Sequence, residues 1–189
     1  MIAMANEAEC VRPFLKGDDL LLVSGVGKVN AAAATQQAID RGAKEIWNCG
    51  VVGGLDIAMN VGDVYEVEKA VEYDFDLTMI NGTKLGTHNE RDTPYFECVT
   101  DGKYPSKILA TGDRFTNDEK DVENPLALGA TLKDMEGAAI AHVCERNGIP
   151  CRMLKAISDV HGKGAMTNQY QVNLAKALGC LKNAVSCWI

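Results

Sequence analysis

The fold of this chain is decided by the stretch Leu132-Lys133-Asp134-Met135-Glu136-Gly137-Ala138-Ala139 and by a second segment, Lys155-Ala156-Ile157-Ser158-Asp159-Val160. Residues 140–146 between them have the pattern of a helix, and the Asn147-Gly148 pair with the nearby Pro150 is a typical helix stop signal. In a parallel α/β sheet, ligands bind where the strands end at their carboxyl side. Glu136 and Asp159 stand at two such ends and are therefore the first candidates for a functional site.

Strand and helix patterns alternate along the rest of the chain. Strands are predicted at 20–23, 44–48, 64–71 and 107–110, and helices at 29–41 and 168–188. The last helix has an apolar stripe made of Leu174, Leu178, Leu181, Val185 and Trp188. This alternation predicts a single α/β domain over residues 1–189, with three αβα layers around a mixed, largely parallel sheet.

The composition is that of an ordinary globular protein and excludes several classes of partner. The 189 residues are 47% hydrophobic and 24% charged, and the formal net charge is -7. An acidic chain without clusters of Lys and Arg is not expected to bind nucleic acid or an anionic membrane. The apolar runs are far shorter than the ~20 residues that span a bilayer, and the first residues lack a basic region before an apolar run. We expect a soluble, cytoplasmic protein.

Cysteine and histidine spacing does not indicate a metal site. The seven cysteines are scattered, without a C-x-x-C pair. Zinc sites and disulfide frameworks need closer or more regular spacing, so we expect free thiols in or near the core. His88, His142 and His161 are also too dispersed to suggest a metal. We therefore expect no cofactor.

Two glycine-bearing turns follow predicted strands. The turn at 24–28 resembles a dinucleotide fingerprint only weakly, because Asn30 occupies the third glycine position, although its amides could bind a small anion or hydroxyl. The loop at 49–55 has three glycines, which permit a ligand to approach the backbone closely. Its side chains are Val51 and Val52 where a phosphate loop usually has Lys, Ser or Thr, so it favours a neutral ligand.

Glu7 and Phe115 each allow two interpretations. Glu7 stands at a helix start, where an acid is stabilised by the helix dipole and needs no further role. Phe115 lies just beyond the predicted strand at 107–110, so it is either a core residue or one wall of a pocket.

Six segments of the chain resemble the nucleoside phosphorylase superfamily. They are Ala3-Met4 with Glu7, Ser24 to Ala32, Asn48 to Leu55, Ala110 to Phe115, Met135-Glu136 and Ala156 to Val160. Their order and spacing most resemble the hydrolytic branch, the 5′-methylthioadenosine/S-adenosylhomocysteine nucleosidases. The resemblance implies a cytoplasmic homodimer that cleaves the N-glycosidic bond of a purine nucleoside, releases adenine and serves methionine salvage.

The resemblance also implies a role for each matching residue. Asp159 would protonate or hydrogen-bond N7 of the purine, with Ser158 holding its side chain, while Glu7 would orient and deprotonate the attacking water. An acid on the base side and a base on the water side are what this bond cleavage requires. The remaining contacts would come from Glu136 to the ribose hydroxyls, Met135 to the sugar, Phe115 to the base and Gly53 in the pocket wall.

Two substrate-site positions depart from the family pattern. Val51 stands where these nucleosidases usually have a small hydroxyl residue, and Lys155 stands where they usually have arginine, which binds through two N–H groups. Two alternatives therefore stay open, a phosphate-dependent purine nucleoside phosphorylase and a nucleoside-binding module that has lost catalysis. A phosphorylase would need an anion site where this chain has Asn6 and Glu7. The sequence does not identify the 5′-substituent, which can be methylthio, homocysteinyl, deoxy or a futalosine-like group.

Residues 72–104 carry several turn signals and predict a hairpin or a long excursion from the sheet. Its aromatic side chains are Tyr73, Phe75, Tyr95 and Phe96. Together with the resemblance, they predict a homodimer interface in this segment.

Overall fold

The computed structural model describes residues 1–116 and 119–189. The helices are α1 (Ala5–Val11), α2 (Lys28–Asp40), α3 (Thr78–Asn81), α4 (Lys120–Ala127), α5 (Gly137–Arg146) and α6 (Met166–Trp188), with a short 3-10 helix at Arg12–Phe14. The strands are β1 (Ile46–Gly54), β2 (Val64–Glu72), β3 (Tyr95–Glu97), β4 (Ser106–Thr111), β5 (Leu132–Asp134) and β6 (Cys151–Val160). None of the described helices is long and apolar enough to cross a bilayer.

The described strands form a mixed sheet that closes on itself. Their order is β3-β2-β4-β5-β1-β6, and β2 also pairs with β6, so that β2, β4, β5, β1 and β6 make a ring. The two longest pairings, β1 with β6 and β2 with β4, are parallel, whereas β2 meets β6 in antiparallel orientation. The predicted α/β class is confirmed. The closure of the sheet was not predicted, because it depends on pairing between strands that are far apart in sequence.

Helices cover the ring on two sides. On one side α5 packs on β2 and β4 with α2 beside it, and on the other side α6 packs on β6 and β1 with α1 beside it. One core cluster includes Leu109, Ile140 and Met153, all fully buried. A second cluster includes Trp188, whose ring lies edge-on to Trp47 with 4.5 Å between centroids. Strand β1 runs parallel to β6 and antiparallel to β5, while β4 runs parallel to β5.

The strand predicted at 20–23 is wrong. Leu20 and Val23 are 46% and 49% exposed, and the segment makes only an isolated parallel bridge between Val23 and Ile2. A short apolar run satisfies the strand pattern without showing whether a neighbouring strand is present to pair with it. Here the run lies beside the ring and is not part of it.

The excursion after β2 differs from the prediction in which side chains it exposes. It contains the short helix α3 and the strand β3, which pairs with β2. Tyr73 and Phe96 are 3% and 0% exposed, because both belong to the cores of this chain. The most exposed large apolar side chains of the excursion are instead Met79 and Ile80, at 95% and 81%.

The apolar stripe of α6 gives a stability prediction. Leu181 is fully buried, whereas Val172 on the same helix is 80% exposed. Leu181→Ala should lower the free energy of unfolding by about 2–5 kcal/mol, because it removes apolar contacts and leaves a cavity. Val172→Ala is the control and should change it by less than about 0.5 kcal/mol. Urea denaturation measures both, and equal effects would contradict this assignment of the buried face.

Candidate active site

A cavity of about 220 Å³ is lined by residues in or just after the last parts of β1, β4, β5 and β6, together with the start of α1. Its lining contains eight of the nine residues that the sequence predicted for a site: Glu7, Val51, Gly53, Phe115, Met135, Glu136, Ser158 and Asp159. These residues come from five separate segments of the chain. The fold therefore brings the predicted group together in one place.

Glu7 caps a helix and faces the cavity at the same time. Its Oε2 accepts a hydrogen bond from the Met4 amide at 3.0 Å, at the start of α1, and its Oε1 accepts one from the Val51 amide at 2.9 Å. The residue is 4% exposed. Burial raises the pKa of Glu7, and the two amides oppose that shift. The capping and site interpretations of Glu7 are thus compatible.

The glycines of β1 make room for two carboxylates of the chain itself. A β-carbon at Gly50 would lie 2.9 Å from Oε1 of Glu7, and one at Gly53 would lie 3.1 Å from Oδ2 of Asp159. Both distances are shorter than an ordinary van der Waals contact, so a larger residue at either position would move the carboxylate. The sequence suggested that these glycines admit a ligand. The structure shows that they also admit Glu7 and Asp159.

Asp159 lies near the end of β6 and is held by its neighbour. Ser158 Oγ donates a hydrogen bond to Asp159 Oδ1 at 2.7 Å. Asp159 is 3% exposed, and burial raises its pKa, although the Ser158 hydrogen bond and the charge of Lys133 oppose the shift. A carboxyl group with a raised pKa retains a proton closer to neutral pH, which suits a general acid.

Glu136 immediately precedes α5 and is anchored by the glycine turn before α2. Its Oε1 accepts a hydrogen bond from the Gly27 amide at 2.8 Å. Burial, together with the negative charge of Asp134, raises the pKa of Glu136 to about 7. The amide that the sequence suggested for an external anion or hydroxyl therefore binds a carboxylate of the chain.

Lys155, the ninth predicted site residue, does not line the cavity. It lies four residues before Asp159 on β6, which is roughly 13 Å along a strand, and it is 2% exposed. Its Nζ donates to Asp134 Oδ2 at 2.9 Å. Burial alone would lower the pKa of Lys155, but the Asp134 carboxylate raises it. The structure thus places Lys155 beneath the site, where it cannot meet a substrate in the cavity.

Asp134 connects Lys155 to the residues that line the cavity. Its carboxylate accepts hydrogen bonds from the backbone amides of Glu136 and Gly137 at 3.2 and 3.0 Å, and from Thr111 Oγ1 at 2.6 Å. These bonds fix the start of α5, and with it the Glu136 backbone. Lys155 therefore supports the site through Asp134, which itself lines the cavity.

Lys133 is a lining residue that the sequence analysis did not single out. Its Nζ donates to the Arg114 carbonyl at 3.1 Å and to Thr116 Oγ1 at 2.8 Å, and so ties β5 to the segment that carries Phe115. A lysine within a strand belongs to no motif. Its position at the cavity became visible only once β4 and β5 were paired.

Tyr170 on α6 was missed for the same reason. Its ring lies edge-on to Phe115 with 5.9 Å between centroids, and its hydroxyl donates to the sulfur of Met4 at 3.5 Å. The three side chains form an apolar wall of the cavity. Phe115 therefore faces the pocket, which decides between its two interpretations.

Comparisons with known proteins identify the family of this chain. The family profile described as the phosphorylase superfamily matches residues 14–186. The chain belongs to this superfamily. Within the superfamily it is similar to a 5′-methylthioadenosine/S-adenosylhomocysteine nucleosidase from Marinomonas sp. (strain MWYL1), with 35% identity over 162 residues that cover 77% of this chain and 70% of the relative.

Solved structures of the superfamily share the fold. A putative 5′-methylthioadenosine/S-adenosylhomocysteine nucleosidase from Borrelia burgdorferi B31, bound to adenine, matches with a TM-score of 0.85 at 25% identity, over 98% of this chain and 95% of that one. A futalosine hydrolase of Helicobacter pylori strain 26695 matches with a TM-score of 0.84 at 21% identity, over 96% and 92% of the two chains. The second likeness concerns the fold alone. The family resemblance read from the sequence is confirmed.

The raised pKa of Glu136 makes stability depend on pH. This carboxyl has a folded-state pKa of about 7 against an ordinary 4.5, so between these values the folded chain holds a proton that the unfolded chain has lost. Its contribution to the free energy of unfolding therefore falls as pH rises through this window. The side chain of the Glu136→Gln variant cannot ionise. Its free energy of unfolding should therefore rise relative to that of the parent between about pH 5 and about pH 8, by a total of order 3 kcal/mol.

Urea denaturation at several pH values measures this gain. Glu123→Gln, at an exposed position of α4, is the control and should show no such trend. A difference between Glu136→Gln and parent that stays constant with pH would contradict the assignment.

Proposed function

We propose that this chain is a hydrolase that cleaves the N-glycosidic bond of a purine nucleoside and releases adenine. The leading substrates are 5′-methylthioadenosine and S-adenosylhomocysteine. The observation that carries the proposal is the convergence of three buried carboxylates, Glu7, Glu136 and Asp159, on one cavity. The 35% identical nucleosidase and the related adenine-bound structure support the choice of substrate.

The bond between C1′ of the sugar and N9 of the base breaks with its electron pair going to the base. Asp159 donates a proton or a hydrogen bond to N7, so that the leaving adenine does not carry a full negative charge. The sugar becomes cation-like at C1′ and is attacked by water on the opposite face. Glu7 orients this water and takes its proton. Each of these proton transfers contributes roughly 10²–10⁴-fold to the rate.

The environments of the two carboxyl groups support this division of roles. Glu7 is held by two backbone amides, which favour its ionised form and therefore its action as a base. Asp159 receives a single side-chain hydrogen bond, from Ser158, and its pKa is raised mainly by burial. Two carboxyl groups kept in different environments are a common way to obtain an acid and a base in one site.

The sugar and the base have separate contacts in the proposal. Glu136, held in orientation by Gly27, accepts hydrogen bonds from the ribose hydroxyls, and Met135 packs on the sugar. Phe115 stacks on the purine, backed by Tyr170. Val51 contributes an aliphatic side chain to the cavity wall, and Gly53 contributes backbone. Lys155 supports Glu136 through Asp134.

Hydrolysis is favoured over phosphorolysis by Glu7. A phosphate that attacked C1′ would have to approach the face where this carboxylate lies, and the two negative charges would repel each other strongly in a cavity of low polarity. A water molecule has no charge and can donate to the carboxylate. The same group that activates water thus disfavours phosphate.

The proposal is tested by incubating the purified protein with 5′-methylthioadenosine in buffers with and without phosphate. We expect adenine and the free methylthio sugar in both, at equal rates, as measured by liquid chromatography. Asp159→Asn and Glu7→Gln should each lower kcat by about 10²–10⁴-fold, because each removes one proton transfer. Adenine release that requires phosphate, or no release from any purine nucleoside, would contradict the proposal.

A matched control for these variants is Glu9→Gln. Glu9 lies on the same short helix as Glu7, but its side chain is 72% exposed. Its kcat should equal that of the parent. Because Glu7 also caps α1, circular dichroism of Glu7→Gln is needed to show that the helix is retained.

We also propose that the enzyme is a cytoplasmic homodimer that acts in methionine salvage, as the proposed substrates imply. Met79 and Ile80 on α3 support a dimer contact in the excursion, since large apolar side chains this exposed are typical of interfaces. Sedimentation should give about twice the chain mass of 20.3 kDa. Met79→Asp with Ile80→Asp should shift the protein to monomer, whereas Val172→Asp on α6 should not. A monomeric parent at micromolar concentration would contradict this part of the proposal.

A further inference from the structure

Three metal-binding side chains meet at the carboxyl end of β2, away from the lining of the cavity. Glu72 ends β2, His88 lies between α3 and β3, and His142 lies on α5. Oε1 of Glu72 is 3.2 Å from Nδ1 of His142 and 3.5 Å from Nε2 of His88. Donor atoms of all three residues lie within 4.8 Å of one another. The sequence-based view that the histidines are too dispersed is wrong for this pair, whose ring centroids are 4.7 Å apart.

We propose that Glu72, His88 and His142 bind a divalent transition-metal ion, and that Zn²⁺ is the preferred ion. Two imidazoles and one carboxylate are a recurrent set of three protein ligands for zinc, with a fourth position for water. In a tetrahedral site with metal–ligand distances of about 2.0–2.1 Å, donor atoms are roughly 3.3 Å apart. The separations of 3.2 and 3.5 Å from Glu72 lie on either side of that value, and the two histidine nitrogens lie within 4.8 Å of each other.

The ring nitrogen of His88 gives an independent reason for a ligand. Its Nε2 is buried and has no hydrogen-bond partner among the described residues. Buried polar atoms without a partner are uncommon in native proteins and call for an explanation. A metal ion between this nitrogen and Glu72 would satisfy it, whereas the present separation of 3.5 Å is an ion-pair distance without a hydrogen bond.

Aromatic neighbours hold both imidazoles in place. His88 stacks on Phe75 with 3.9 Å between centroids, and His142 stacks on Phe96 at 4.5 Å. Rings that are fixed in this way lose little freedom when an ion binds. The side chains of Glu72, His88 and His142 are 9%, 13% and 19% exposed, so the group lies close to the protein surface.

Lys28 orients the Glu72 carboxylate through its second oxygen, Oε2. Its Nζ donates to Oε2 of Glu72 at 3.2 Å and to Asp74 at 2.6 Å, which leaves Oε1 directed at the two histidines. Groups that hold a ligand through its second atom are typical of metal sites. An ion here would join the end of β2, the excursion and α5. Its expected effect is to fix the excursion to the body of the protein.

Isothermal titration calorimetry tests the proposal on the intact chain. The protein is first treated with a chelator, and Zn²⁺ alone is then added. The parent should bind one ion per chain, and its Tm should rise with Zn²⁺. His88→Ala and His142→Ala should each weaken the affinity by at least about 10-fold, since the loss of a supporting group alone costs 10–100-fold. His161→Ala, which removes the exposed third histidine, is the matched control and should leave the affinity unchanged.

Two further measurements keep the test decisive. His88→Gln keeps a polar side chain of similar size beside Glu72, so it should fold and still show the 10-fold loss. Co²⁺ reports the ligand type, because thiolate ligands give strong near-ultraviolet absorption that imidazole and carboxylate ligands do not. Absence of binding, equal affinity in the parent and the His88 variants, or a thiolate spectrum would each overturn the proposal.

Discussion

The ion pair between Lys155 and Asp134 is the interaction on which the site depends. Both groups are almost fully buried, and taking two charges out of water costs several kcal/mol per ion unless each is well paired. Here the cost is offset because Asp134 also accepts hydrogen bonds from Thr111 on β4 and from the first amides of α5. One carboxylate thus joins β4, β5, β6 and α5. The position of the Glu136 backbone at the cavity therefore depends on this buried ion pair.

The carboxylates of Glu7, Glu136 and Asp159 are costly to bring together, and backbone groups reduce this cost. Gly50 and Gly53 leave space for Glu7 and Asp159, and the Gly27 amide neutralises part of the charge on Glu136. The remaining cost appears as raised pKa values at all three groups. Three carboxyl groups with raised pKa values lower the stability of the folded chain as pH rises towards neutral. Departures from ideal stability of this kind are expected at functional sites.

Most of the candidate site could be predicted from sequence because its residues follow strand ends, where a short motif determines both the local structure and the chemistry. Lys133, Tyr170 and the Glu72–His88–His142 group could not, since each depends on segments that meet only in the folded chain. The same limit explains the errors at residues 20–23 and at Tyr73 and Phe96. A pattern of apolar residues shows that a side chain is suited to burial, but which surface buries it is decided by strand pairing. The sequence identified the segment that carries Lys155, but it did not show that this side chain lies beneath the cavity.

The closed ring of strands has a consequence for how the protein folds. Its last pairing joins residues 64–66 of β2 to residues 154–156 of β6, so a long loop must be closed before the ring is complete. Contacts between such distant segments slow folding, because chain entropy is lost before the contacts stabilise the product. Asp159 and Lys155 both lie on β6. Because both residues belong to this one strand, we expect activity to return during refolding only after β6 has paired with its neighbours.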